Sequence, residues 1–152
     1  MNRRIWCLVF VLGGLCGCAH QEVAMRSFNP VVLPKPNGYS HVVEVTGGRT
    51  LYVSGQLPLT AEGKVIDHAN MEAQTQQVFE NIKAALAAAG GSMDDVVKIT
   101  VFMTDLSDLQ AFRTVRDRYF VRHSPASSLV QISALVRPEC LIEIEALAVV
   151  GR

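Results

Sequence analysis

The most constraining stretch of the sequence is its last apolar run, LIEIEALAVV at residues 141–150, because two acids lie inside it. Side chains two residues apart on a strand point to the same side, so a strand would place Glu143 and Glu145 on one face. The opposite, apolar face would then carry Ile142, Ile144, Ala146 and Ala148. This alternation predicts a strand. Its acid-bearing face either meets solvent or forms part of a shared cleft, and the run alone leaves both interpretations open.

The segments before this run alternate between strand-like and helix-like patterns. Residues 40–45 and 50–59 are β-rich and are separated by Gly47 and Gly48, which predicts a hairpin. Apolar residues then recur at intervals of three and four, which predicts a helix from 71 to about 89. The remaining predicted elements are a strand at 96–105, a helix from a capping box at Ser107 to about Tyr119, and strands at 128–135 and 141–150.

The predicted order is β-β-α-β-α-β-β, in a single α+β domain at residues 38–152. Two helices cannot cover both faces of such a sheet, so we expect them to pack on one face. The other face then needs a partner, which predicts an oligomer.

The N-terminal stretch, residues 1–17, has two arginines, an apolar run and small residues, which is the layout of a secretory signal. Its end resembles the lipobox of bacterial lipoproteins, with Leu15 and Gly17 before Cys18. We therefore expect Cys18 to be the lipidated first residue of the mature chain, with residues 18–37 as a tether. The alternatives are an ordinary cleaved signal and an uncleaved N-terminal helix.

Lipidation would hold the protein in the bacterial cell envelope, facing the periplasm. Ala19 in place of aspartate after the cysteine favours the outer membrane, by resemblance to the bacterial sorting pattern. Cys140 would be the one thiol left free of lipid, so no intramolecular disulfide framework is expected.

The charge balance argues against nucleic acid as a partner. The chain has 14 basic and 14 acidic residues and no basic run, and Arg3 and Arg4 leave with the signal. The four histidines show no metal-ligand spacing, so no metal site is expected.

Four separate motifs resemble the RidA/YjgF family of reactive intermediate deaminases. They are GYSHVV from Gly38, YVSGQLPL from Tyr52, VVKITVFMTDLSDLQAF from Val96, and the final LIEIEALAVV. The resemblance implies a chorismate-mutase-like fold, assembled as a homotrimer with small-molecule clefts between subunits. It also implies hydrolysis of imines or enamines to a carbonyl compound and ammonia, without a cofactor.

The resemblance assigns roles to individual residues of this sequence. Glu143 corresponds to the glutamate that positions the attacking water, and Tyr39 to the tyrosine of the cleft. Ser54 and Gly55 correspond to the serine and glycine of the family's second strand. The resemblance therefore implies Glu143 and Tyr39 as catalytic residues, and Ser54 and Gly55 as substrate-binding residues.

One position departs from the family pattern. Where deaminating members carry an arginine that grips the substrate carboxylate, this chain has Ser127, which offers at most one neutral hydrogen bond. Arg113, on the second predicted helix, could supply the missing cation. The alternative is that Arg113 and Arg116 form a solvated helix face.

Three hypotheses about function follow. The first is a deaminase-type hydrolase acting on C=N bonds whose substrate is not a standard 2-imino acid. The second is a catalytically silent trimer that binds a small metabolite. The third is a membrane-tethered trimer with a chaperone-like or scaffolding role.

Overall fold

The computed structural model describes residues 23–151, so the predicted signal peptide and Cys18 lie outside the described residues. Within this range the chain forms six strands and two α-helices, with short 3₁₀ turns before β4 and before α2. The elements are β1 (Ala24–Phe28), β2 (Val42–Thr46), β3 (Arg49–Gln56), α1 (Met71–Ala88), β4 (Val96–Met103), α2 (Leu109–Tyr119), β5 (Ala126–Gln131) and β6 (Ile142–Val150).

Four strands form the main sheet, in the order β3-β6-β4-β5. Strand β6 runs antiparallel to both β3 and β4, whereas β4 and β5 are parallel. A parallel pair needs a crossover connection, and α2 supplies it. The apolar run at residues 141–150 is therefore an interior strand of the sheet.

The strands before α1 are arranged differently from the prediction. Strand β1 lies inside the predicted tether and pairs antiparallel with β2 in a separate two-stranded sheet. The predicted hairpin is wrong, because β3 pairs with β6 instead of β2. That pairing lets Leu51 and Val53 of β3 pack against the hydrophobic core, which an isolated hairpin would not provide.

Both helices pack on one face of the main sheet, so the predicted α+β architecture is confirmed. The core between the helices and the sheet is closed by apolar side chains from every layer: Val78, Phe79, Ile82, Leu86, Ile99, Val101, Phe112, Val115, Ile142, Ile144, Ala146 and Ala148. The alternation predicted for β6 is thus observed, with Ile142, Ile144, Ala146 and Ala148 buried and the two acids on the other face.

The ends of the helices follow local chemistry. The side chain of Asn70 accepts a hydrogen bond from the backbone of Ala73 at 3.0 Å and caps α1. Gly90 takes a left-handed conformation just after α1, at φ 77°, as the predicted glycine stop requires. The predicted capping box at Ser107 is wrong, because Asp105 accepts a hydrogen bond from the Ser107 backbone and α2 begins later. Across residues 23–151 no helix is long and apolar enough to cross a bilayer.

Candidate functional site

A small pocket of about 180 Å³ lies between α2 and the start of β5, and we call it the α2 pocket. The residues that matter in its lining are Tyr39, Phe112, Arg113, Arg116, Ser127 and Leu129. Three predicted site residues, Tyr39, Arg113 and Ser127, are therefore brought together by the fold.

Backbone contacts hold the Tyr39 segment against β5. The neighbouring Ser40 is buried, and its backbone N–H donates to the carbonyl of Pro125 at 3.0 Å. Its hydroxyl donates to the carbonyl of Ser124 at 2.7 Å. Ser127 faces α2 because it is in register with Ile99, whose side chain is in the core.

Arg116 is the residue whose environment differs most from the prediction. It is only 4% exposed, so the alternative of a solvated helix face is wrong for this arginine. Its guanidinium carbon lies 5.7 Å from the centre of the Phe112 ring. A sequence signal was present, since Arg116 follows Leu109 by seven residues and Phe112 by four, which places it on the apolar stripe of α2.

Glu143 lies on the other face of the sheet, next to Gly55. The register of β3 against β6 is irregular between Val53 and Gln56, so Ser54 and Gly55 occupy a bulge. A Cβ atom on Gly55 would overlap the Glu143 carboxylate, so the glycine makes room for that group.

The environment of Glu143 favours its protonated form. Burial raises the pKa of its carboxyl above the ordinary value, and the neighbouring negative charge of Glu145 raises it further. Glu145, which the resemblance leaves without a chemical role, thus acts on the titration of Glu143. A carboxyl with a raised pKa exchanges protons more readily near neutral pH than an ordinary one.

A second pocket, of about 410 Å³, opens on the face of the sheet that lacks helices, and we call it the sheet-face pocket. Its lining includes Tyr52, Ser54, Lys98, Thr100 and Glu145. The ammonium of Lys98 donates to the Ser128 hydroxyl at 2.6 Å, and burial lowers the pKa of Lys98. Tyr52 is 81% exposed, so this face carries an aromatic side chain in open solvent in the single chain.

The predicted site residues therefore form two groups. Tyr39, Arg113 and Ser127 line the α2 pocket on the helix side, whereas Glu143 is in register with Phe102 on the helix-free side. Ser54 lines the sheet-face pocket and Gly55 contacts Glu143. One chain does not bring its two predicted catalytic residues, Tyr39 and Glu143, into one pocket.

The described residues offer neither an activated thiol nor a metal site. Burial raises the pKa of the Cys140 thiol, which disfavours the nucleophilic thiolate. Among residues 23–151, no three His, Cys, Asp or Glu side chains lie close enough together to hold a metal ion.

Comparison with known proteins identifies relatives over almost the whole described range. A family profile described as Endoribonuclease L-PSP matches residues 32–150. A RutC family protein of Pyrococcus abyssi is 42% identical over 116 residues, which cover 76% of this chain and 89% of that protein. Protein DfrA of Myxococcus xanthus is 38% identical over 130 residues, which cover 85% of this chain and 98% of DfrA.

Solved structures agree with the sequence comparison. The YyfB member of the conserved Rid protein family from Yersinia pestis superposes with a TM-score of 0.77 at 36% identity, covering 83% of this chain and 98% of that one. Yeast Mmf1 superposes with a TM-score of 0.64 at 30% identity, again covering 83% of this chain and 98% of the other. The predicted chorismate-mutase-like fold is confirmed by these neighbours.

Proposed function

Because the chain belongs to the RidA/YjgF family, we propose that it hydrolyses imines or enamines to a carbonyl compound and ammonia. The observation that carries the proposal is the position of Glu143, whose carboxyl group fits against Gly55 and has a pKa above its ordinary value. A proton-exchanging group held at a fixed position is what hydration of a C=N bond requires.

The proposed chemistry needs only water and this acid. Glu143 takes a proton from a water molecule as the water oxygen bonds to the C=N carbon, and a proton reaches the nitrogen. The resulting carbinolamine loses ammonia and leaves the carbonyl compound. One proton leaves the water as it adds, and a second leaves the hydroxyl of the carbinolamine as ammonia departs. Both protons end on the nitrogen, so no cofactor is consumed. The raised pKa of Glu143 suits both directions of this exchange.

We place the complete site between two copies of the chain. Glu143 lies on one face of the sheet, and the Tyr39 group, which consists of Tyr39, Arg113 and Ser127, lies on the other. Glu143 can therefore meet a Tyr39 group only on a neighbouring subunit. A cyclic assembly repeats that contact around its axis, and a homotrimer would contain three equivalent clefts. The helix-free face, with exposed Tyr52, is the surface we assign to the contact between subunits.

We also propose that the mature protein is anchored through lipid on Cys18 and faces the periplasm. The support is the lipobox-like sequence before Cys18 and the apolar run that precedes it. The family's usual imines arise from cytoplasmic pyridoxal-phosphate enzymes, so an anchored copy would act on another imine or enamine.

Ser127 supports a second candidate function, a trimer that binds a metabolite without turning it over. Loss of a bond to a charged group costs about 1.5 to 3 kcal/mol, which is one to two decades in binding or rate. The space that Gly55 leaves for the Glu143 carboxylate favours the enzyme over this alternative. The third hypothesis, a tethered scaffold, has no residue in the described structure that favours it over the other two.

The name of the family profile raises RNA cleavage as a further possibility. RNA binding usually draws on a stripe of unpaired basic side chains along the protein. Here exposed Arg26, Arg118 and Arg122 are each paired with an acid, namely Glu44, Glu72 and Asp94. These pairings do not favour a surface that tracks a phosphate backbone.

The test of the proposed function is a coupled assay with freshly generated 2-iminopropanoate and with imines of uncharged amines. The purified chain is run beside an established deaminase and beside its own Glu143→Gln variant. Glu143→Gln keeps the shape of the side chain but loses proton exchange, so turnover above the spontaneous rate should disappear. A native chain that never exceeds the spontaneous rate with any C=N substrate would leave the binding trimer as the better account.

A further inference from the structure

We propose that Arg116 binds the carboxylate of the ligand in the α2 pocket, in place of the arginine that the resemblance expects at Ser127. The inference deepens the proposed function and rests on it, because it names a substrate class for the same site. That class is a small monocarboxylate with a short apolar side chain.

The hydrogen bonding of Arg116 is incomplete in the single chain. Its Nε–H donates to Oδ1 of Asp117 at 2.9 Å. Nη2 lies 2.8 Å from the same oxygen as an ion pair, and it is buried without an aligned hydrogen bond among the described residues. A guanidinium carries five N–H donors, and a buried donor without an acceptor is costly to keep. An acceptor supplied by a bound ligand would remove that cost.

The guanidinium is also fixed in position before any ligand arrives. Gly38, at φ 71°, packs so closely on it that a Cβ at this position would overlap Nη2 and Cζ. The Phe112 ring lies on the same side chain at 5.7 Å. A side chain that is already immobilised loses little conformational entropy when it binds, which strengthens binding.

The charges in and around the α2 pocket match one carboxylate. Arg113 and Arg116 both line it, and Asp117 contacts Arg116 from a position that is 61% exposed. Two guanidinium groups and one carboxylate leave one positive charge. A fork of parallel N–H donors is the geometry that carboxylates accept best.

The rest of the lining matches a short apolar substituent. Leu109, Phe112 and Leu129 supply apolar surface beside the arginines. The pocket volume of about 180 Å³ corresponds to about six water-sized groups, or a carboxylate with three or four further carbon atoms.

Isothermal titration calorimetry on the purified full-length chain in detergent tests the inference with two unreactive probes. They are 3-methylbutanoate and its uncharged counterpart, 3-methylbutanamide. The native chain should bind the acid at least about ten times more tightly than the amide, since bonds to a charged group are lost with the amide. Arg116→Gln should abolish this preference, and Arg116→Lys should keep part of it, because the charge remains without the fork.

Arg118→Gln is the matched control, because Arg118 lies on the same helix but is exposed and paired with Glu72 at 2.7 Å. It should keep the full preference for the acid. If Arg116→Gln does not fold, Arg113→Gln decides the assignment. A preference retained in Arg113→Gln leaves Arg116 as the guanidinium responsible, whereas its loss assigns the carboxylate to Arg113 and overturns the inference.

Two further outcomes would also overturn it. One is a native chain that binds the acid and the amide equally or binds neither, and the other is a folded Arg116→Gln variant that keeps the preference. The proposed function is tested separately, because its readout is imine turnover, whereas the readout here is the binding of two unreactive probes. A chain with the acid preference but no imine turnover would refute the hydrolase and leave the Arg116 assignment standing.

Discussion

Gly55→Ala should lower turnover by about a hundredfold while leaving the fold almost as stable as before. An alanine Cβ at this position would lie 2.7 Å from Cδ of Glu143 and 3.1 Å from its Cγ, and still closer to Oε1. The overlapping atoms belong to the end of a flexible side chain, so Glu143 can rotate away and the backbone can stay in place. The carboxylate would then leave the position at which we expect it to hold water.

The two expected effects differ in size. Displacing one side chain from its preferred rotamer costs about 0.5 to 1.5 kcal/mol in the free energy of unfolding. Misplacing a catalytic group by about 1 Å costs roughly a hundredfold in rate. Urea unfolding measures the first effect, and the coupled imine assay at saturating substrate measures the second.

A double-mutant cycle supplies the control for this prediction. In a Glu143→Ala background the overlap is gone, so adding Gly55→Ala should change stability by close to zero. The coupling between the two substitutions then isolates the contact of Gly55 with Glu143. The reasoning fails if Gly55→Ala keeps turnover within about twofold of the native chain, because a displaced carboxylate would then be unimportant to the reaction.

Three further predictions concern the anchor, the carboxylate and pH. Cys18→Ala should abolish palmitate labelling and leave the protein uncleaved or soluble, because it loses acyl chains that supply about 0.8 kcal/mol per buried methylene; unchanged labelling would contradict the anchor. Adding Ser127→Arg to the Arg116→Gln variant should lower KM by about tenfold, since it returns a guanidinium to the α2 pocket; an unchanged KM would contradict this use of the pocket. Arg113→Ala should raise KM much less than Arg116→Gln does, because we assign the substrate carboxylate to Arg116, and an equal or larger rise of KM in steady-state kinetics would contradict that assignment. The raised pKa of Glu143 means that the folded chain holds this proton more tightly than the unfolded chain does. The contribution of Glu143 to the free energy of unfolding is therefore complete below pH 4.5 and falls as the pH rises through the raised pKa. Urea midpoints measured across that range should show this loss in the native chain and not in Glu143→Gln.

Periodic patterns allowed much of the fold to be predicted from the sequence. The predicted helix at 71–89 corresponds to α1 at Met71–Ala88, because its apolar stripe and its glycine stop are both local signals. The alternation in β6 was predictable for the same reason. Motifs singled out Glu143 and Gly55 separately, whereas the register of β3 against β6 shows that they are in contact and that the glycine makes room for the acid.

The features that were missed depend on contacts between distant parts of the chain. Strand β1 has one half-buried residue and four exposed ones, so it lacks an apolar alternation and forms through pairing with β2. The burial of Arg116 depends on Gly38, which comes from a segment far away in the sequence. The division of the site between two faces follows from the register of β4, β5 and β6, which no local pattern specifies.

Mixed oligomers test the central claim most directly, namely that Glu143 of one subunit acts on a ligand held by the Tyr39 group of another. Tyr39→Ala and Glu143→Gln chains are each expected to be inactive alone, and they are co-expressed with different tags and purified as mixed assemblies. Each mixed trimer has one cleft in three that combines an intact Tyr39 with an intact Glu143, so about a third of native imine turnover should return. Mixed assemblies no more active than either variant alone would contradict a site shared between subunits, and turnover by the Glu143→Gln chain itself would contradict the role of that acid.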